Sequence, residues 1–338
     1  MKCNWDKSEI LHKLNAYNKS FESGNQNHKK EVEFYEQMLE YCFYPTLTEI
    51  AFSKKRDKKD AFKSDYDFLY SSEVEAFSLF IREFYEQVKE LTINVPRLSH
   101  INFSDEDILK MTRQFFWEQG NNVYGKFIDI FWNRKKNFRF YNSCVFRPRN
   151  VSFVSPIAGN VYLAASRRKN ISDLFTTINC YARAISTKMN LDKSPSKRIL
   201  TEVGPIFWEL VSINFLPKKI GYEDEIKKFQ LDHFKSMQQS IEFVRFKEKE
   251  LNTVSPNKYS TPTLLNQALP RTISYLIALE LYYIYLEDQK LAFELLDKIM
   301  LLDQDSALTY LEQIINLGIT PLKSLDKEVM ALELKRKP

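Results

Sequence analysis

Glycine is scarce in this 338-residue chain, with seven residues in all. Few backbone positions can therefore take the left-handed conformations of tight β-turns, which disfavours an all-β fold. Histidine is scarcer, with four in total. His12, His28, His100 and His233 form no H-x-x-x-H or H-x-x-E-H spacing, so a helix-borne zinc site is not expected. The four cysteines, Cys3, Cys42, Cys144 and Cys180, are far apart and make no C-x-x-C pair. Neither a zinc finger nor a disulfide framework is indicated, and a reduced, cytoplasmic chain is expected. Long apolar runs are missing too. The longest, Tyr275–Leu286, is short and carries Glu280, and the N-terminal MKCNWDKSEI lacks the apolar core of a signal peptide. No membrane partner is expected. There is no P-loop and no G-x-G-x-x-G, so no nucleotide cofactor is expected, and none of another kind.

Apolar residues make up 44% of the chain and aromatic ones 14%, enough for a sizeable core. Their spacing is mostly helical. In Val32–Phe43 and Ser72–Leu91 the apolar positions recur at three and four residues, as they do from Ser172 to the end apart from loops at 191–198 and 252–263. Ser104, followed by Asp105, Glu106 and Asp107, predicts an N-cap with an acidic first turn. Gly318 predicts a helix C-cap between Ser306–Leu317 and Thr320–Leu332. The run Lys54–Asp60 has mixed charge and reads as a solvated connection.

Between 126 and 165 the pattern changes. Phe127–Trp132, Phe138–Phe146, Val151–Pro156 and Val161–Ala165 are short and rich in aromatic or β-branched residues, which predicts strands. The expected fold class is mainly α with a small antiparallel sheet. An N-terminal helical region, 1–100, is expected to precede a second region, 101–338.

Net charge is +5, but it is unevenly placed. The 75 residues from Lys126 to Leu200 hold fifteen Lys/Arg and three acids, for +12, and the other 263 residues carry −7. A basic segment attracts acidic peptides, carboxylates or acidic protein surfaces. Phe138-Arg139-Phe140-Tyr141 has the aromatic–basic alternation of a single-strand binder. Without an RNP, KH or helix-turn-helix signature, nucleic acid is disfavoured as a partner. Solvated basic loops remain the plain alternative.

The segment Asp173–Ser186 is the most informative. Leu174, Ile178, Ala182, Ile185 and Met189 make an apolar stripe, while Asn179, Arg183 and Ser186 share another face. A second helix follows with Glu202-Val203-Gly204-Pro205-Ile206-Phe207-Trp208-Glu209-Leu210. This arrangement resembles the catalytic region of the oligoendopeptidase F and thimet oligopeptidase family, zinc metallopeptidases that trim short peptides. In that family a small sheet precedes a His-Glu-x-Gly-His helix, and a later helix supplies a Glu as third zinc ligand. Phe127-Ile-Asp129-Ile with Lys135-Lys136, Ser274-Tyr275-Leu-Ile-Ala278 and the closing LEQIINLGITPLKSL extend the resemblance over roughly 105–335.

The resemblance implies an oligoendopeptidase-like catalytic-type domain at 101–338. It places Asn179, Cys180, Tyr181, Ala182 and Arg183 where the family has its zinc motif, and Glu202 at the third ligand. Both imidazoles and the general-base carboxylate are then missing, although a catalytic zinc needs three ligands and a nearby base. The expected protein is catalytically inactive and binds a peptide or protein partner in a retained basic groove. Arg139, Tyr141, Arg147, Arg149, Arg271 and Tyr275 are candidates for that groove. Two alternatives stay open: a hydrolase with an altered site, using the Cys180 thiol or unusual metal ligands, and a regulatory subunit of an active peptidase or another protein. Arg183 is expected to pair with Glu202 in place of zinc. His233 lies in a charged stretch and is expected to be solvated, and Cys180 to be a buried, inert thiol.

Overall fold

The computed structural model describes residues 72–142, 151–154, 161–189, 200, 202–253, 261–302, 306, 308–336 and the single position 16. The expected helix Val32–Phe43, the run Lys54–Asp60, and Arg147 and Arg149 lie outside these residues, as do the side chains of Arg139 and Tyr141.

Helix α1 (Ser72–Val88) buries Phe77, Ile81, Phe84 and Val88, one stripe at helical spacing, against later helices. A two-residue strand β1 (Leu91–Thr92) follows and pairs antiparallel with β5 (Lys335–Arg336) at the far end of the described chain. Ser104 opens α2 (Asp105–Glu118) as expected. Asp107 N–H donates to Ser104 Oγ at 3.1 Å, while Ser104 N–H donates back to Asp107 Oδ2 at 3.3 Å, a reciprocal capping box.

Phe127–Trp132, expected as a strand, is helical. Its first five residues form the C-terminal part of α3 (Asn121–Phe131), whose buried Val123, Phe127, Ile130 and Phe131 fall at helical spacing and pack against α2 and Tyr181. Aromatic strand propensity is weak next to burial of a complete helix face. Lys135 and Lys136 likewise fall in a helical turn, α4 (Arg134–Asn137).

Three strands follow: β2 (Phe138–Asn142), β3 (Val151–Val154) and β4 (Val161–Arg167). Their order is β2-β4-β3, with β4 antiparallel to β3 but parallel to β2, Phe138 opposite Leu163. The sheet is therefore mixed, not antiparallel. Two chain reversals restore the direction of β2, and β4 then inserts between the other two strands.

The sheet packs on α5 (Ser172–Met189), which in turn packs on α6 (Val203–Phe215). A short turn, α7 (Pro217–Ile220), leads to the long α8 (Glu223–Thr253) and α9 (Thr261–Glu287); α9 packs on α6, and α8 packs on α9. In α9, Glu280 is buried and accepts a hydrogen bond from Ser324 N–H at 2.9 Å. Helices α10 (Gln289–Met300), α11 (Tyr310–Asn316) and α12 (Leu325–Ala331) complete the order. Gly318, with φ 85°, ends α11 as expected: its N–H reaches Ile315 O at 2.8 Å, and Ile319 N–H reaches Ile314 O at 3.2 Å. Among the described residues no helix is long and apolar enough to cross a membrane.

Candidate functional site

Helices α5 and α6 approach closely because Gly204 has no side chain. A Cβ at that position would stand 2.5 Å from Ser186 Oγ. Ser186, expected on a polar face with Asn179 and Arg183, is buried in this contact. The expected apolar stripe of α5 does face the core, with Leu174, Ile178, Ala182 and Ile185 all buried.

The close approach brings Arg183 against Glu202, at the start of α6. Nη2 of Arg183 donates to Glu202 Oε2 at 2.5 Å and Nη1 donates to Oε1, a bidentate pair. Both side chains keep about a quarter of their surface exposed, 25% and 24%. Burial works against the Arg183 charge, but the Glu202 carboxylate outweighs it and the guanidinium pKa is raised. The pairing expected from the sequence is present.

A second polar group lies deeper. Asn179 Nδ2 donates to Glu209 Oε2 at 2.7 Å, and Arg183 Nη2 donates to Asn179 Oδ1 at 3.4 Å, so Asn179 links Glu209 to the Arg183–Glu202 pair. Glu209 Oε1 lies 4.0 Å from Nε2 of His233 on α8. Burial pushes the Glu209 carboxyl up to about 7, against the pull of Arg271, the Asn179 hydrogen bond and Arg183. Burial also drives the His233 imidazole down to about 3, with Arg271 adding to the shift. A neutral imidazole makes no ion pair, so this contact is a close approach of two groups that both resist charge. His233 Nε2 has no hydrogen-bond partner among the described residues.

His233 was expected in solvent and is instead 6% exposed. Its neighbours Asp232 and Lys235 make the local sequence look solvated, but Ile226, Phe229, His233, Met237, Ile241 and Val244 form one buried stripe of α8. That stripe was the available signal. Glu209 was also missed as a site residue. It stands in the otherwise apolar run of α6, two turns after Glu202, where a carboxylate needs an internal partner.

The other candidates separate. Cys180 is fully buried in the core, as the inert reading required, and away from the solvent that a thiol nucleophile needs. Tyr275, expected on a groove, is 1% exposed and packs between Phe84, His233 and Phe234, with ring centroids 6.2, 5.7 and 6.4 Å away. Burial raises its phenol pKa well above the usual value. Arg271, one turn earlier on α9, is exposed, and its charge acts on both Glu209 and His233. Arg139 and Tyr141 belong to β2, an edge strand of the three-stranded sheet. Of the six groove candidates, the described side chains are those of Arg271, which is exposed, and Tyr275, which is buried in the core and lines no groove.

The zinc that the resemblance implies does not fit the side chains present. Asn179, Arg183 and Glu202 offer an amide, a cation and a carboxylate already held by that cation, a set that repels a dication. Among the described residues no cluster of three or more His, Cys, Asp or Glu is arranged to hold a metal ion.

Comparison with known proteins gives the fold a relative. An oligoendopeptidase F structure from Bacillus anthracis str. Ames superposes with a TM-score of 0.53 at 10% identity, over 98% of this chain and 70% of that one. The fold resembles that of oligoendopeptidase F. Another oligoendopeptidase F structure gives a TM-score of 0.54 at 10% identity over 93% of this chain and 66% of that one. PZ peptidase A, solved with an inhibitor, gives 0.52 at 10% identity over 76% and 58%. The chain thus spans 58–70% of the length of these proteins. No family model and no curated sequence matches it.

Proposed function

We propose that this protein is a catalytically inactive relative of the oligoendopeptidases that binds a peptide or protein partner. The observation that carries the proposal is the Arg183–Glu202 pair. A bidentate cation–carboxylate contact joins α5 to α6 where the resemblance would place zinc, and it supplies the cross-link without an open coordination position. The inner carboxylate, Glu209, is raised to about 7 and closed in by Asn179 and His233. A general base needs access to water activated by a metal or a neighbour, and these contacts leave Glu209 only 9% exposed. Burial of Cys180 argues against a thiol hydrolase in the same way.

A random-sequence peptide pool tests the proposal in one experiment. The pool is incubated with the full chain, retained peptides are recovered by filtration and sequenced by mass spectrometry, and the metal content of the protein is measured alongside. Selective retention of intact peptides, with zinc far below one per chain, is the expected result. New peptide termini that disappear with a chelator, or a pool recovered without enrichment, would overturn the proposal.

A further inference from the structure

A cleft of about 870 Å³ opens away from the Arg183–Glu202 contact, between the segment 95–100, the turn joining β4 to α5, and α8. That volume lies in the range of ligand pockets. None of Asn179, Arg183, Glu202 or Glu209 lines it. The turn at its edge precedes α5, and Asn179 is seven residues into that helix, roughly 10 Å along its axis.

The charges around the cleft are uneven. Arg97, Arg168, Lys169 and Lys235 surround it, with Asp232 as the one carboxylate of the lining. None of the four cations makes an ion pair among the described residues. Elsewhere pairing is common: Lys126 with Asp297, Arg183 with Glu202, Lys219 with Glu118 and Lys228 with Glu225. The contrast is sharpest within Arg167-Arg168-Lys169. Arg167 turns inward to Asp105 at 3.0 Å, Asp173 at 3.3 Å and the Phe103 carbonyl at 2.6 Å, whereas the next two side chains are exposed at the cleft.

The walls are held from behind. Arg168 and Lys169 N–H groups donate to Asp173 Oδ1 and Oδ2 at 2.7 and 3.0 Å, and the Lys169 carbonyl accepts from Ile101 N–H at 2.9 Å. These bonds keep Lys169 in a left-handed conformation, φ 56°, that a lysine rarely adopts. Across the cleft, Ser99 fixes the 95–100 segment to α8 by donating from N–H and Oγ to Glu225, at 2.8 and 2.7 Å.

We infer that this cleft binds an acidic peptide segment. The bonds that fix the walls also select among anions. A compact phosphate is best held by converging backbone N–H groups, and here those of Ser99, Arg168 and Lys169 already serve internal carboxylates. What remains is four spread-out cations on flexible stems, which match carboxylates distributed along a chain. Asn170, Ser236 and Gln239 offer hydrogen-bonding groups to a peptide backbone, and Val95 and Leu98 offer apolar surface to its other side chains. The inference rests on the reading of the protein as a peptide binder and adds the place and the chemistry of the bound segment.

Fluorescence anisotropy of the full chain with a labelled Glu-Glu-Leu-Glu-Glu peptide, and with its Gln-Gln-Leu-Gln-Gln counterpart, tests it. The acidic peptide should bind saturably and weaken as salt rises. The double variant R168E/K235E should bind it at least tenfold more weakly while keeping wild-type helix content and melting temperature. The control K290E/K298E on α10, outside the cleft, makes the same change in net charge and should stay within twofold of wild type. An unchanged affinity in the cleft variant, or an equal loss in the control, would overturn the inference. So would displacement of the label by inorganic pyrophosphate at lower concentration than by unlabelled acidic peptide. Binding of the Gln peptide in preference to the acidic one would also overturn it, while leaving the peptide-partner proposal in place.

Discussion

Nε2 of His233 and Oε1 of Glu209 lie 4.0 Å apart in the interior, an imidazole and a carboxyl that are both held toward their neutral forms. Their effects on stability have opposite signs. Glu209 ionises near 4.5 when unfolded and near 7 when folded, so its contribution is lost as pH rises through that window. His233 takes up its proton near 6.5 when unfolded and near 3 when folded, so its contribution is lost as pH falls from 6.5 to 3. Between 4.5 and 6.5 the two slopes cancel.

Substituting one partner should expose the slope of the other. Glu209→Gln is expected to show a stability that climbs from pH 3 to 6.5, relative to wild type, without the decline from 4.5 to 7. His233→Phe should show the decline alone, on the order of 3 kcal/mol across the window. Urea denaturation of the three proteins at half-unit pH steps measures both. Parallel stability–pH curves for all three would show that neither group titrates differently on folding.

Breaking the Arg183–Glu202 pair should loosen the contact between α5 and α6. Of the single changes Arg183→Met and Glu202→Leu, the first is expected to cost about 1–3 kcal/mol, because it strands a largely buried carboxylate. The double variant Arg183→Met/Glu202→Leu should lose less than the sum of the single changes, since neither charge is left behind. Chemical denaturation of the four proteins gives the coupling directly. Strict additivity would mean that the pair contributes no net cross-link.

Tyr181 offers a change toward greater stability. Its ring lies between Phe127 and Phe138, with centroids 5.1 and 5.4 Å away, yet its hydroxyl is buried without a hydrogen-bond partner among the described residues. Tyr181→Phe keeps the ring contacts and removes a desolvated hydroxyl. A gain of up to about 1 kcal/mol is expected, read as a raised melting temperature. A loss of stability would mean that the hydroxyl is satisfied in solution.

The capping box at the start of α2 carries a smaller prediction. Ser104→Ala removes the acceptor for Asp107 N–H and the hydroxyl that donates to Asp107 Oδ2 at 2.6 Å and should cost about 1 kcal/mol, whereas Ser104→Thr, which keeps both, should restore most of it. Thermal denaturation separates the two. Equal melting temperatures for both variants would show that the cap is replaced by solvent.

The amino-acid sequence by itself determined the features that depend on near neighbours. The stripe of α5, the Ser104 cap and the Gly318 terminus follow from spacing within one or two helices, whereas the facing of Arg183 toward Glu202 was implied by the resemblance to the oligoendopeptidases. It misjudged Phe127–Trp132, where aromatic strand preference gave way to burial of the α3 face. It gave no strand order, so β4 could not be placed between β2 and β3. The approach of His233 to Glu209, the burial of Tyr275 and the meeting of Arg97, Arg168 and Lys235 around one cleft were decided only by tertiary structure. Each joins residues tens of positions apart, and their contact depends on how α5, α6, α8 and α9 pack, a balance of burial across the whole core that no local spacing encodes.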